Sequence, residues 1–181
     1  MFMGNRGCLH DNQGAVRRDW QVRRWITCLT AFKARQRQLM RPGHYTELFF
    51  MDEAVATAAG HRPCAECRRA DHLAFRAAWQ DAHGPVASVD QIDAALHLAR
   101  LGPRQVRPAQ GLPDGSMVLW QNRPHLVLDK TLLPWSPLGY EAARPWIDSQ
   151  VCVLTPAPLI AVLAAGWQPA IHPTALRNQR V

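Results

Sequence analysis

The sequence lacks the marks of several large classes of protein. Its 181 residues contain no apolar run near the ~20 residues that a membrane-spanning helix needs. Residues 1–6 show neither a long apolar stretch nor a small-residue cleavage site, so we expect no signal peptide. Five cysteines are a small, odd number for a secreted disulfide scaffold. A glycine-rich phosphate loop and a recognisable Ser/His/Asp arrangement are also missing. We therefore expect a soluble cytoplasmic protein without a membrane partner.

Acidic residues are scarce in the first quarter of the chain. Residues 1–45 contain nine basic residues and two acidic ones, whereas residues 46–181 contain twelve of each. The whole formal net charge of +7 therefore lies in residues 1–45. This asymmetry favours an anionic partner for the N-terminal region, most plausibly nucleic acid. An arginine-rich composition without a partner is the alternative interpretation.

The order of strand patterns, helical periodicities and breakers predicts an α+β fold. We expect a small N-terminal domain of short strands and helices at residues 1–84, a helical connector and linker at 85–112, and a small β-rich unit at 113–181. Glycines and prolines indicate that residues 102–115 are a linker. The prolines of residues 133–140 favour an ordered loop over a strand, because proline donates no ladder hydrogen bond.

Helix signals are clearest on either side of residue 60. Asp52 is a good N-cap for a short alanine-rich helix, and Gly60 is the expected C′ residue in the left-handed region. A second helix is predicted from Arg68 to His83. A third is predicted from Ser88 to Leu101, where Ser88 and Gln91 match a capping box.

The pair Cys64-x-x-Cys67 is the strongest chemical signal in the chain. Two thiolates at this spacing can reach one tetrahedral zinc ion at about 2.3 Å each. The remaining ligands have to come from Cys8, His10, Cys28, His44 or His61. A thioredoxin-like redox pair, a zinc deaminase and two unliganded thiols are the competing interpretations, and the sequence favours structural zinc over them.

Residues 48–67 resemble the metal-binding domain at the N-terminus of the bacterial alkylation-repair protein Ada. The similarity consists of a strand with paired aromatics, a short alanine-rich helix, and Ala-Gly-His-Arg-Pro-Cys-Ala-Glu-Cys, and it extends loosely over residues 1–84. The resemblance implies a bound Zn²⁺ with Cys64 and Cys67 as its last two ligands. It places the other two ligands upstream, where Cys28 and His10 are our choice and Cys8 is the rival of His10.

The sequence departs from the family's pattern upstream, where no ligand lies four residues before Cys28 and His10 or Cys8 would have to reach across residues 11–24. The family transfers a methyl group from a DNA phosphotriester to a zinc-bound cysteine. A zinc site that includes a histidine carries less negative charge and holds a poorer nucleophile than one with four sulfurs. The departure therefore predicts a structural metal and no methyl transfer.

Arginines and tryptophans alternate in the N-terminal region, which is typical of a surface that binds phosphates and stacks on unpaired bases. Together with the zinc site, this pattern predicts a zinc-dependent nucleic-acid-binding protein, with DNA rather than RNA as its partner, in DNA repair or regulation. Trp20 and Trp25 as core residues beside solvated arginines are the alternative. The predicted phosphate-binding residues are Arg17, Arg18, Arg23, Arg24, Lys33, Arg35 and Arg37.

A second hypothesis is a metal-associated enzyme that acts on nucleic acid, such as a nuclease, a glycosylase or a deaminase-like protein. Its acid/base would be Glu47 or Asp11, both expected near the metal. Asp52 and Glu53 are better explained as a helix cap and a partner of the helix dipole.

Overall fold

The structure is a computed structural model that describes residues 1–34, 38–85, 88–146 and 148–178. It confirms the α+β class, with both helices and sheets. In chain order the elements are β1 (Phe2–Asn5), β2 (Ile26–Cys28), β3 (Leu48–Phe50), α1 (Glu53–Ala58), β4 (Arg62–Pro63), α2 (Arg69–His83), α3 (Val89–Leu101), β5 (Val106–Pro108), β6 (Met117–Trp120), β7 (Arg123–Leu128), β8 (Thr131–Ser136), β9 (Gly139–Tyr140), β10 (Arg144–Pro145), β11 (Gln150–Val153), α4 (Ala157–Ala164) and α5 (Pro173–Arg177).

Two sheets organise the described residues. In the first, the strands follow the order β3-β1-β2-β4, in which β1 is antiparallel to both neighbours and β2 is parallel to β4. In the second, the order is β10-β8-β7-β6-β11-β5, and β9 pairs with β8. None of the helices in the described ranges combines the length and the apolar composition that a bilayer crossing requires.

Three clusters of buried residues hold these elements together. Phe75 and Ile92 pack with Leu159, which joins α2, α3 and α4. A second cluster lies between the second sheet and α4, and includes Val127 and Ile160. A third cluster joins Ala54 to the second sheet, and α1 also contacts β1 and β3 of the first sheet. The short helix α1 therefore lies between the two sheets and connects them. The predicted domain division at residues 84 and 112 stays a prediction.

The local helix signals correspond to helices in the structure. The Asp52 carboxylate accepts a hydrogen bond from Val55 N–H at 2.9 Å and caps α1, and Gly60 has a φ of 83°. Helices α2 and α3 occupy the two other predicted ranges, and the Ser88 N–H donates to the Gln91 side chain at the start of α3. These helices are set by near neighbours in sequence, which explains why the pattern finds them.

Two segments that we expected to be loops contain strands. Strand β8 includes Pro134, which faces His125 of β7. Besides β7, strand β8 pairs with β10 at Thr131 and Leu132 and with β9 at Trp135 and Ser136, so Pro134 lies between these two short pairings and its missing N–H is tolerated. In the expected linker, β5 pairs with β11 over three residues. Both strands depend on partners that are distant in sequence, which local composition does not encode.

Candidate metal centre

The first sheet places alternate residues on two different faces. Met3 lies directly opposite Cys28 on one side and Phe49 on the other, so these three side chains share one face. Gly4 and Phe50 belong to the other face, which packs on His61; a Cβ on Gly4 would meet the Phe50 ring at 2.4 Å. We call the face with Cys28 the open face and the face with Gly4 the covered face.

A tight turn after β4 brings the cysteine pair to the open face. The parallel pairing of β2 and β4 sets Thr27 beside Pro63, and the Cys64 N–H donates to the Thr27 carbonyl at 2.9 Å. Cys64 therefore lies next to Cys28, although 36 positions separate them in the sequence. The Sγ atoms of Cys28, Cys64 and Cys67 all lie within 4.8 Å of one another. These three residues, which we call the cysteine trio, can bind a metal ion.

Backbone N–H groups point at the sulfurs of the trio. Glu66 N–H donates to Cys64 Sγ and Leu29 N–H donates to Cys67 Sγ, each at 3.4 Å. A hydrogen bond from the Cys28 thiol, aided by backbone N–H groups, lowers the pKa of Cys64 to about 5. The pKa of Cys28 is raised by the hydrogen bond that its thiol makes with Cys64 and by burial. The pKa of Cys67 is raised by burial. Cys64 is therefore the thiol of the trio that ionises most readily, and a metal ion displaces the thiol protons on binding.

The donor set of the trio fits a soft or borderline metal ion. In a tetrahedral zinc site with Zn–S distances near 2.3 Å the sulfurs lie about 3.8 Å apart, inside the range observed here. Thiolates favour Zn²⁺, Cu⁺ and iron–sulfur clusters over the hard cations Mg²⁺ and Ca²⁺. Among the described residues, no histidine, carboxylate or further cysteine joins the trio within 4.8 Å. The nine residues outside the described ranges include no histidine, cysteine, aspartate or glutamate.

A cavity of about 260 Å³ opens beside the trio on the open face. Its lining includes Cys28, Cys64 and Cys67 together with apolar side chains of the sheet and its loops. Glu47 also lines this cavity, and its Oε2 atom accepts a hydrogen bond from Met40 N–H at 3.0 Å. Of the two carboxylates predicted as acid/base groups, Glu47 therefore shares a cavity with the trio. Asp11 holds the turn of its own loop and binds Arg17 at 2.6 Å.

The other predicted metal ligands lie outside the trio. His10 is buried with its Nδ1 atom 2.6 Å from Thr46 Oγ1, and the Cys8 thiol donates to the His10 carbonyl. His44 is exposed beside the Pro42 carbonyl. His61 lies on the covered face between the rings of Trp25 and Phe50. The structure thus brings together three of the four predicted ligands and leaves His10 elsewhere.

The predicted phosphate-binding residues lie mostly on the exposed loop between β1 and β2. Arg17 forms an ion pair with Asp11, and Arg24 forms ion pairs with Asp90 and Asp93. Arg18 and Arg23 are exposed, and no carboxylate in the part of the chain that the structure describes pairs with them. The Lys33 ammonium lies 5.1 Å from the centre of the Phe32 ring. Arg35 and Arg37 fall outside the described residues. The described members of this set are absent from the lining of the cavity beside the trio.

A basic groove of about 580 Å³ lies elsewhere on the molecule. Arg6, Arg100 and Arg104 line it with Trp20, and the guanidinium groups of Arg6 and Arg100 stack on Trp25 at 4.1 and 4.4 Å. Burial lowers the pKa of Arg100 to about 9, although Asp93 opposes the shift. The sequence reasoning missed Arg6, Arg100 and Arg104, because helix α3 brings Arg100 to the N-terminal region from 94 positions away.

Asp52 and Glu53 hold the two halves of the chain together and do not line the cavity beside the trio. Besides capping α1, Asp52 accepts hydrogen bonds from Tyr140 Oη at 2.8 Å and from His172 N–H at 3.0 Å. Glu53 binds the buried Arg68 guanidinium and accepts from Ala170 N–H at 2.9 Å. The hydrogen bond from Val55 N–H confirms the interpretation of Asp52 as a cap.

Comparison of the chain with models of protein families, with curated proteins and with solved structures found no match.

Proposed function

We propose that this chain is a zinc-binding protein that contacts nucleic acid, and that residues 1–84 are an Ada-type metal-binding domain that has kept three of its sulfur ligands. The observation that carries the proposal is the cysteine trio, whose three sulfurs converge from β2 and from the turn after β4. We also expect it to act in the cytoplasm, where a reducing environment keeps thiols available for metal. The five cysteines are all free, in agreement with that location.

The basic groove supports the nucleic-acid part of the proposal. Three arginines provide positive charge for phosphates, and Trp20, which is 36% exposed, offers an indole surface for stacking. Burial lowers the pKa of Arg6 and of Arg100, although Asp19 and Asp93 oppose these shifts, and a phosphate in the groove would stabilise both charged guanidinium groups further. Arg18 and Arg23 extend the positive surface along the exposed loop. We expect DNA rather than RNA as the partner, in repair or regulation.

Metal analysis of the purified protein tests the zinc site. We expect about one zinc ion per chain, and a loss of at least tenfold in affinity when Cys28, Cys64 or Cys67 is changed to Ser. Cys152→Ser is the matched control, because Cys152 lies in β11 of the second sheet. Cys8→Ser and His10→Ala should also keep the metal. A wild-type protein that is folded and binds no zinc would contradict the proposal.

Salt-dependent binding of DNA and RNA oligonucleotides tests the nucleic-acid contact. Arg104→Glu should weaken binding and reduce the slope of log K against log salt by about one for duplex DNA, as expected for one lost phosphate contact. Arg144→Glu makes the same charge change at an exposed residue outside the groove and should alter binding less. Equal effects of the two changes would mean that the groove is not the binding surface.

A metal-associated enzyme is the second candidate function, because Glu47 shares a cavity with the trio. A carboxylate beside a zinc ion with three protein ligands is the arrangement of zinc hydrolases and deaminases. Loss of a nucleolytic, glycosylase or deaminase activity in Glu47→Gln, with zinc content unchanged, would support this candidate over simple binding.

A further inference from the structure

The cysteine trio supplies three of the four donors that a tetrahedral zinc ion takes. Closed structural sites have four protein ligands, whereas sites that bind substrates have three and receive the fourth from outside. Among the described residues no fourth cysteine, histidine or carboxylate joins the trio, and the other positions of the chain carry none of these types. On this donor count, the trio belongs with the sites that accept an external ligand.

The cavity on the open face provides the entry path for such a ligand. It adjoins all three sulfurs, and its walls include the exposed apolar side chains of Leu29, Leu39 and Phe49. Exposed apolar residues that cluster in one concave place mark a binding site more often than a random part of the surface does. The opposite, covered face of the sheet is filled by His61 and Phe50, so access to the trio comes from this cavity.

Glu47 supplies a hydrogen-bond acceptor inside the cavity. Its Oε2 atom is held by Met40 N–H, and its Oε1 atom has no hydrogen bond from the residues that the structure describes. A carboxylate in this cavity can accept a hydrogen bond from the N–H of a ring whose other nitrogen binds the metal. Many metal sites contain this carboxylate–histidine–zinc arrangement.

We infer that the metal held by the cysteine trio binds, in the cavity beside it, a small neutral azole ring that donates its N–H to Glu47. This inference rests on the proposed zinc site and adds the class of ligand. An azole of the imidazole type has one nitrogen with a lone pair for zinc and one N–H for the carboxylate.

The charges of the site favour a neutral ligand over an anion. Three thiolates and one Zn²⁺ have a net charge of −1, and the carboxyl groups of Glu47 and Glu66 line the same cavity. An anionic ligand such as phosphate would be repelled, whereas a neutral ring avoids this cost and contacts the apolar walls. A purine within a nucleic acid is also disfavoured, because the glycosidic bond occupies the nitrogen that would carry the azole N–H. The ligand is therefore a free azole.

Visible absorption of the Co²⁺-substituted, tag-free protein tests the inference, because cobalt bands respond to a change of ligand. Imidazole should shift the spectrum saturably, and 1-methylimidazole, which has no N–H, should bind about 10-fold more weakly or worse. Glu47→Gln should weaken imidazole binding by about the same factor and leave 1-methylimidazole nearly unchanged. Glu141→Gln, far from the cavity on an exposed loop, is the matched control and should change neither.

The outcomes separate this inference from the proposed function. A protein that binds no cobalt or zinc overturns both. A protein that binds one metal ion per chain but whose spectrum ignores imidazole overturns the azole site and leaves the zinc site standing. Equal affinities for imidazole and 1-methylimidazole in the wild type overturn the role of Glu47, and this comparison does not depend on how well any variant folds. Tighter binding of an oligonucleotide purine than of imidazole also overturns the assignment of a free azole.

Discussion

The two faces of the first sheet differ in how completely their charged groups are bound. On the covered face, Arg68 is surrounded by Glu53, Asp71 and Thr27 and lies 4.3 Å above the ring of Phe2. On the open face, Glu47 accepts a hydrogen bond from Met40 N–H and faces a cavity. Both carboxylates lie within a few residues of the same short strand, β3, with Glu47 before it and Glu53 after it.

The difference shows how a small protein separates stability from binding. Charged groups that are removed from water need complete sets of partners, and the covered face supplies them. The open face places three sulfurs and the Glu47 carboxylate on one cavity. We therefore expect equivalent changes to lower the free energy of unfolding on the covered face and to weaken ligand binding on the open face.

The largest effect is expected for Glu53→Ala. This change leaves the buried Arg68 guanidinium without its main partner, and breaking a buried ion pair costs about 3–5 kcal/mol of unfolding free energy. Asp71→Ala removes the other carboxylate on Arg68, but the Asp71 side chain is 52% exposed, so the expected cost is below about 1 kcal/mol. Urea denaturation at fixed zinc concentration measures both. Similar losses for the two variants would contradict the contrast between buried and exposed partners.

The neighbouring phenylalanines of β3 provide a closer comparison. Phe50 packs edge-on against His61 at 4.8 Å on the covered face, whereas Phe49 is 52% exposed on the open face. We expect Phe50→Ala to lower the free energy of unfolding by about 2 kcal/mol and Phe49→Ala by less than about 1 kcal/mol. Thermal and urea unfolding of the two variants measure the difference. If Phe49→Ala proved the more damaging change, the assignment of the two faces would be wrong.

Acid should destabilise the packing of the covered face. Burial, together with Arg6 and Arg100, holds the pKa of His61 well below its usual value of 6.5. Below pH 6.5 the unfolded chain binds a proton that the folded chain excludes, so stability falls with falling pH, by at most about 1.4 kcal/mol per pH unit for this residue. His61→Phe should reduce the acid sensitivity. The comparison is made by urea unfolding between pH 5 and 8 at equal zinc, and parallel pH profiles of the two proteins would contradict it.

The parts of the fold that were predicted correctly depend on residues close in sequence. Asp52, Gly60 and Ser88 begin or end helices through local hydrogen bonds and backbone angles, so their roles can be seen in the sequence itself. The pair Cys64 and Cys67 is equally local, because a tight turn presents both thiols. The choice of Cys28 came from a resemblance in spacing, and the β2–β4 pairing gives it a physical cause.

The parts that were not foreseen depend on distant contacts. His10 was predicted as a ligand because the resemblance calls for a second ligand upstream of Cys64, but its ring is hydrogen-bonded to Thr46, which lies 36 residues away. The basic groove needs Arg100 of α3 to reach the backbone of Gly60 and Arg23, and nothing local to Arg100 encodes those contacts. A single sequence gives no information on such pairs, since they are decided by how the elements pack.

The smallest effect is expected for Glu47→Gln, the change that tests the open face most directly. Glutamine keeps an oxygen that accepts the Met40 N–H, and the half-buried Glu47 forms no ion pair among the described residues, so the free energy of unfolding should change by no more than about 0.5 kcal/mol. Glu53→Gln makes the same chemical change on the covered face and should cost several times more, because Arg68 loses its buried counter-charge. Urea unfolding and zinc content are measured on both variants.

A large loss of stability in Glu47→Gln would make Glu47 a structural residue, and a loss of zinc would make it a fourth metal ligand. Unchanged values for both would leave ligand binding in the cavity as the remaining role for this carboxylate.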